Sequence, residues 1–336
     1  MSIKDWNKIY KNVCRDYDKL PDVLPPVNRI IVIGDLHGDW DMTIKSLKIP
    51  KLINDRLEWI GGDTVVVQLG DQIDRCRAIG IPCHFPNATK DDEASDMKIL
   101  NFFSDLHKQA QKYGGSVYSI IGNHEVMNVM GDMRYVSYEN IKDFDNYKKP
   151  NNSLFNSGME ARKWAFAQGN PIANFLGCTR KMALIIGSNL FVHAGILPNI
   201  AKKYNISEMN KIMSLYLWNK LKNPNNYRDL LILADSSPLW VRNHHYFLDN
   251  DDNCHNLLDP LKDIYKVDKL FIGHTPQILT GINKKCKDKI WLTDYGASKA
   301  FDPIDININT NNVRSKIREA QVLEILEDGK TINILH

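Results

Sequence analysis

Five short apolar runs in this chain each stop at a glycine or a histidine and pass straight into polar residues. That repeated arrangement leaves few architectures open. The runs are Arg29 to Ile33, Thr64 to Leu69, Ser116 to Ile121, Asn189 to Val192 and Lys269 to Ile272. Their length and β-branching predict buried strands. The blocks that follow are Gly34-Asp35-Leu36-His37-Gly38, Gly70-Asp71-Gln72-Ile73-Asp74-Arg75, Gly122-Asn123-His124-Glu125, His193-Ala194-Gly195 and Gly273-His274-Thr275. Each block thus sits at the carboxyl end of a strand, where α/β sheets place their sites. A rigid strand aims the polar side chain, and the glycine lets the backbone turn sharply after it.

The segments between these strands read as helices and loops. Ile3, Trp6, Ile9, Tyr10 and Val13 have helical spacing and predict an N-terminal helix over 3–20, ended by Pro21, Pro25 and Pro26. Trp40 to Leu47 predicts a helix after the first block. From Arg134 to Cys178 the pattern changes, with Met159, Arg162, Lys163 and Phe166 at helical spacing, and predicts a helical insertion over the site (134–178). Further helices are expected at 207–222 and 227–234. Val322 to Leu326, Asp328-Gly329 and Thr331 to Ile334 predict a C-terminal β-hairpin within about 320–335. All 336 residues are expected to form one domain, with a core over about 29–300.

Charge and cysteine content narrow the function classes. A net charge of +3 gives no concentrated basic face, so no nucleic-acid partner is indicated; Lys284, Lys285, Lys287 and Lys289 read as a solvated turn. No run approaches a membrane span, and the residues after Met1-Ser2 lack the apolar stretch of a secretory leader. The expectation is a soluble, intracellular, cytoplasmic protein without a membrane partner. Cys14, Cys76, Cys83, Cys178, Cys254 and Cys286 form no C-x-x-C pair and suggest neither a zinc ribbon nor a disulfide framework. Most are expected to be reduced. Cys76 and Cys83 bracket a short loop directly after the second block, so they can either pair or remain two free thiols.

Together the blocks supply Asp, Asn and His lone pairs enough to hold two hard or borderline divalent metals. In this order they resemble the PPP-type metallophosphoesterases, the calcineurin-like phosphatases, over about residues 29–300. The resemblance implies a layered α/β sandwich, two central mixed β-sheets flanked by helices, with the helical insertion near the site. It further implies that Asp35 and His37 bind a first metal, that Asp71 bridges two, and that Asn123, His193 and His274 complete the second. Two such ions, roughly 3.5–4 Å apart, make hydroxide available near neutral pH and neutralise the phosphoryl oxygens of an anionic ester. The ligand types suit Mn, Fe or Zn, as divalent or trivalent ions, and do not choose among them.

By the same resemblance His124 is a general acid at the leaving oxygen, oriented by Asp74. Arg75 and Arg242, the latter in Ser237-Pro238-Leu239-Trp240-Val241-Arg242, would bind the phosphate through their forked donors. Asp39 reads as the cap of the following helix, and Glu125 and Asp294 as groups that orient ligands. The chain departs from the eukaryotic Ser/Thr phosphatases at Cys76, where they carry Gly, and at Ile272-Gly273-His274, where they carry Arg-Ala-His. Gly273-His274-Thr275-Pro276 and Asp294-Tyr295-Gly296-Ala297-Ser298 instead look like the bacterial-like branch, especially the Shewanella-like protein phosphatases. The implied activity is a phosphomonoesterase acting on a phosphoprotein (Ser/Thr or Tyr) or a phosphorylated small molecule. A dinucleoside polyphosphate hydrolase is the alternative from the same ligand blocks. An inactive scaffold would normally have lost a ligand or the His, and here all are intact.

Overall fold

Two six-stranded sheets lie face to face in the computed structural model, which describes residues 3–77, 79–231 and 235–336. In chain order the strands are β1 (Val23–Leu24), β2 (Arg29–Ile33), β3 (Val65–Gln68), β4 (Ser116–Ile120), β5 (Arg180–Lys181), β6 (Ala183–Ile186), β7 (Asn189–Val192), β8 (Lys269–Ile272), β9 (Asn283–Lys285), β10 (Ile290–Leu292), β11 (Val322–Leu326) and β12 (Thr331–Leu335). One sheet runs β12-β11-β2-β3-β4-β5 and the other β1-β6-β7-β8-β10-β9. Strands β2, β3, β4 and β5 are parallel, and the β11–β12 hairpin adds antiparallel at the β2 edge. In the second sheet β7, β8 and β10 are parallel, β6 pairs antiparallel to β7 and parallel to β1, and β9 pairs antiparallel to β10. Both sheets are therefore mixed, and the chain has the expected α/β sandwich.

The period-2 pattern of the strands decides which face meets what. Ile30 and Val32 of β2, with Val65 and Val67 of β3, turn inward to meet Phe191 and Phe271 of the other sheet. Those two rings stack at 5.0 Å. Ile31, Ile33 and Val66 turn outward, against Leu47 of a helix at Trp40–Lys48 and Ile99, Phe103 and Leu106 of one at Asp96–Gln111. Burial of each such side chain contributes about 1.5–3 kcal/mol. With both faces covered, the strand ends are rigid supports.

The helices used below are α1 (Trp6–Val13), α2 (Trp40–Lys48), α3 (Asp96–Gln111), α4 (Asn123–Val129), α5 (Tyr138–Lys142), α6 (Gly158–Phe166), α7 (Pro171–Thr179), α8 (Pro198–Lys203) and α9 (Ile206–Leu217). Helix α1 stops at Val13 rather than near residue 20, because Cys14 leaves helical geometry and is tied to Cys178 on α7. Trp6 anchors the same helix, packing on Trp218 and donating to the Ser214 hydroxyl at 2.6 Å. Helix α9 ends at Leu217 rather than near 222, and Asn219 just beyond it is left-handed (φ 54°). Of the helix expected over 227–234, Arg228–Leu231 is helical and residues 232–234 lie outside the described residues. Helices α5 to α7 occupy the segment expected as an insertion, and Phe144, Ala161, Ala165 and Phe166 pack onto Val126 and Val129 of α4. Among the described residues no helix is long and apolar enough to cross a membrane.

The cysteines depart most from expectation. All six are paired, as Cys14–Cys178, Cys76–Cys83 and Cys254–Cys286. Two of the bridges span 164 and 32 residues, separations at which spacing along the sequence carries no information. Folding brings the Cα atoms of both pairs to 5.5 Å, a bonding distance. Cys14–Cys178 closes the longest loop and should contribute most through the unfolded chain, about 2–5 kcal/mol. Calorimetry of a Cys14→Ser/Cys178→Ser variant should show a clearly lower melting temperature. A melting temperature unchanged both in that variant and under reductant would contradict the pairing.

Candidate metal centre

The five polar blocks converge at the carboxyl ends of β2, β3, β4, β7 and β8. The turns that deliver them are tight. His37, Asp71, Asp74 and His274 are all left-handed, with φ of 42°, 49°, 74° and 69°. Non-glycine residues in that region cost of order 1–3 kcal/mol each and persist only where packing holds them. Glycine is needed where the blocks touch. A Cβ on Gly122 would lie 2.2 Å from Asp71 Oδ1, and one on Gly273 would lie 2.1 Å from Asp35 Oδ1. Any larger residue would displace a carboxylate of the cluster.

Asp71 lies at its middle. Its Oδ2 is 3.4 Å from His193 Nε2 and 3.8 Å from both His37 Nε2 and His124 Nε2, while Oδ1 accepts the His124 backbone N–H at 2.9 Å. On one side stand His37 and Asp35, whose Oδ2 is 4.0 Å from His37 Nε2. On the other stands Asn123, whose Oδ1 lies 2.9 Å from His193 Nε2 and 2.8 Å from His274 Nδ1. Asp35, His37, Asp71, Asn123, His193 and His274 are thus brought together, all buried. His37, Asp71 and His124, and Asp71, His193 and His274, each bring ligand atoms within 4.8 Å of one another, with Asp71 common to both groups.

The imidazoles are anchored in a way that fixes which nitrogen faces the cluster. His193 Nδ1 donates to the Leu69 carbonyl (2.7 Å), His274 Nε2 to the Trp240 carbonyl (3.1 Å), and His37 Nδ1 points to the Ile73 carbonyl (3.3 Å). In each ring the other nitrogen faces the cluster, where a metal-ligating histidine would present its lone pair. Glu125 holds the turn beneath, accepting the backbone N–H groups of Asp71, Gln72 and Gly122. Asp39 caps α2 through the Met42 N–H. Asp294 accepts from the Gly296 N–H, and its Oδ2, like Asp35 Oδ1, is buried without a hydrogen-bond partner among the described residues.

These groups fit metal ions. Burial, then Asp294 and Asp71, push Asp35 well above the ordinary carboxylate range, so a cation in the cluster is what would hold it ionised. Burial also works against Asp71, but His193 and His124, with the hydrogen bond from His193, outweigh it and hold Asp71 well below that range. Burial, then Arg77 and His124, push His37 well below its usual value, and burial, then His193 and Arg242, do the same to His274. Both imidazoles are therefore neutral, the form that binds metal. The orphaned acceptors on Asp35 and Asp294 are what a cation would satisfy.

His124 is held differently. Its Nδ1 bonds Asp74 Oδ2 at 2.7 Å, which leaves Nε2 facing Asp71. Asp74 is gripped in turn by Asn128 Nδ2 at 2.9 Å, Asn128 Oδ1 accepts from Arg162 Nε at 3.0 Å, and Arg162 Nη2 pairs with Asp96 at 2.7 Å. Every member of this chain is buried. Arg162 comes from α6, so the helical insertion braces the His124 orientation.

The arginines depart from the sequence reading. The Arg75 guanidinium is turned into the protein, paired with Glu93 (2.9 Å) and Asp39 (3.5 Å) and bonded to the Gly38 and Asp91 carbonyls. Arg77, two residues on, reaches the cluster instead. Its Nη2 is 2.8 Å from His37 Nε2 and 3.5 Å from His124 Nε2. The faces of Phe301 and Tyr135, at 4.6 and 5.1 Å, support it. Among the described residues no carboxylate lies within ion-pairing distance of it. Arg242 does reach the cluster, donating to Thr275 Oγ1 (3.1 Å) and the His274 carbonyl (3.4 Å).

Comparison with known proteins gives the same picture. A family model described as calcineurin-like phosphoesterase matches residues 28–277. An uncharacterized protein of Acanthamoeba polyphaga mimivirus is 35% identical over 251 residues, which are 68% of this chain and 95% of that one. Shewanella-like protein phosphatase 2 of Arabidopsis thaliana is 29% identical over 301 residues, 81% of this chain and 72% of that one. The crystal structure of a cold-active protein-tyrosine phosphatase from a psychrophilic Shewanella species superposes with a TM-score of 0.63 at 21% identity, covering 95% of this chain and 83% of that one.

Proposed function

This chain belongs to the calcineurin-like phosphoesterases and is a metal-dependent phosphatase, and from that premise we propose that it is a protein phosphatase with two metal ions sharing Asp71. The observation that carries the reading is Asp71 Oδ2, faced by imidazoles from both sides of the cluster. Asp35 and His37 would complete one position, and Asn123, His193 and His274 the other. When bound, the ions would supply Lewis acidity toward the phosphoryl oxygens and a nucleophile near neutral pH. The relatives named Shewanella-like protein phosphatases, from Arabidopsis thaliana and Plasmodium berghei, favour a phosphoprotein substrate.

The chain's own residues divide the remaining work. Arg77 and Arg242 enter from opposite sides of the cluster and would clamp the phosphoryl oxygens with fixed N–H donors. His124 would carry a proton on Nε2 and pass it to the departing oxygen. Asp74 keeps the Nδ1–H in place, so that Nε2 is the nitrogen facing the cluster. Asn128 and Arg162 keep Asp74 from turning away.

Reassigning the phosphate contact from Arg75 to Arg77 has a direct consequence. Arg77→Ala should lower kcat/KM for a phosphopeptide by about 10–100-fold, the size of a lost charge-assisted contact, with little change in melting temperature. Arg75→Ala should do the reverse, lowering the melting temperature by stranding Asp39 in the interior. Equal catalytic losses without destabilisation in the Arg75 variant would restore the sequence reading.

The family-level proposal is tested by hydrolysis of phospho-Ser, phospho-Thr and phospho-Tyr peptides with Mn, Fe, Zn or Mg, beside diadenosine tetraphosphate. Peptide turnover above dinucleotide turnover supports it, and the opposite order replaces it with the dinucleoside polyphosphate reading. As to compartment, we infer an oxidising one rather than the cytoplasm, because cytosolic thiol systems would keep these six cysteines reduced.

A further inference from the structure

Behind Arg77 a cleft of about 180 Å³ leads away from the metal centre, lined in part by Arg75, Thr89, Lys90, Lys299 and Asp302. Its charge is one-sided. Four lining side chains are cationic, and the single carboxylate, Asp302, is engaged by Arg318 (2.8 Å) and Arg314 (3.5 Å). Arg75 is balanced by Glu93 and Asp39. Lys299 has only Asp91 at 3.8 Å, a pair exposed enough to be weak. Arg77 and Lys90 have no carboxylate within ion-pairing distance among the described residues.

The wall also holds donors with nothing to bind. Among the described residues Arg75 Nε and Thr89 Oγ1 are buried without a hydrogen-bond partner, and Asp302 Oδ1, though ion-paired with Arg318, also lacks one. Buried polar groups are ordinarily satisfied, and a cationic concavity with low-dielectric walls concentrates anions. The cleft therefore has what an oxyanion needs, the ammonium groups of Lys90 and Lys299, the uncompensated charge of Arg77 and an idle hydroxyl. It opens beside Arg77, whose other side faces His37 and His124, so an anion held here would lie on the same substrate as the phosphoryl group being cleaved.

We propose that this cleft is a subsite for a second anionic group of the substrate, an Asp or Glu side chain or a second phosphoester a few residues from the scissile one. The proposal rests on the phosphopeptide reading above and names the class of phosphopeptide preferred. At about 3.3 Å per extended residue, the second group would lie within a few positions of the first.

A phosphopeptide series tests it, with Asp, phospho-Ser or Ala walked from four residues before the scissile phosphate to four after. At one register kcat/KM should exceed that of the Ala peptide by roughly tenfold, the worth of one charge-assisted hydrogen bond, and the advantage should shrink with added salt. Lys90→Gln/Lys299→Gln should reduce that advantage to a few-fold while leaving phenyl phosphate turnover unchanged. Advantage with Asp identifies an acidic side chain as sufficient; advantage with phospho-Ser alone identifies a doubly phosphorylated substrate. Peptide turnover with no anionic preference at any register, or a preference that survives the double substitution, removes the subsite and leaves the phosphatase reading standing. Hydrolysis of phenyl phosphate but of no phosphopeptide removes both.

Discussion

A His124→Asn enzyme is expected to keep its metal and lose phosphopeptide turnover by about 10²–10⁴-fold, the range for a lost general acid. The metal should stay because Asn123, not its neighbour, faces His193 and His274. The loss should depend on the leaving group. A peptide alkoxide is a poor leaving group and needs the proton, whereas an ester of an acidic phenol needs it less and should be slowed less. Geometry alone permits another role, since His124 Nε2 and His37 Nε2 are equally far from Asp71 Oδ2. If His124 were a ligand, its replacement would release metal and slow both esters alike. Metal content measured beside a leaving-group series therefore separates the roles. Asp74→Asn should reproduce the leaving-group trend more weakly, because it weakens the hold on Nδ1 without removing the ring.

Asp71→Asn should have the other large effect. This side chain is the only one common to the two imidazole groups, and a neutral amide there removes the charge that His37, His124 and His193 surround. Losing an outer partner of a ligand typically costs about 10–100-fold in affinity or activity. Losing the shared ligand should cost more, and good and poor leaving groups should suffer equally. Elemental analysis of the variant should find metal depleted. Full metal content with near-normal turnover would mean that Asp71 is not shared.

Much of this architecture was legible in the sequence for a definite reason. The strands are short and buried on both faces, so hydrophobic runs such as Arg29–Ile33 and Lys269–Ile272 identify themselves, and each ends on a residue type that binds metal or turns a chain. The convergence of Asp35, His37, Asp71, Asn123, His193 and His274 follows once those strands lie parallel. Side-chain direction after a sharp turn is a different matter. Asp74 is left-handed (φ 74°), and that turn sends Arg75 inward and brings Arg77 to the cluster. The Asp-Arg pair draws attention to Arg75, whose guanidinium the fold turns away from the cluster. Cys76 in place of a family Gly was the available sign that the loop runs differently.

Arg162 illustrates a second limit. It occurred in the helical spacing of Met159, Lys163 and Phe166, where a charged residue on a packed stripe signals a buried partner. The partners, Asp96 and Asn128, lie 66 and 34 residues away and meet it only in the folded chain. Cys76–Cys83 was open as a pairing, but the two long-range disulfides failed to show for the same reason. Pairings over 164 and 32 residues are products of topology, not of spacing.

One buried carboxylate, Asp71, is proposed to organise two metal ions. The most direct measurement is anomalous diffraction from crystals of the metal-loaded enzyme, with elemental analysis of the same preparation. The account predicts two ions per chain, both touching Asp71, one held with Asp35 and His37 and the other with Asn123, His193 and His274. A single ion, or two ions with no shared ligand, would contradict it.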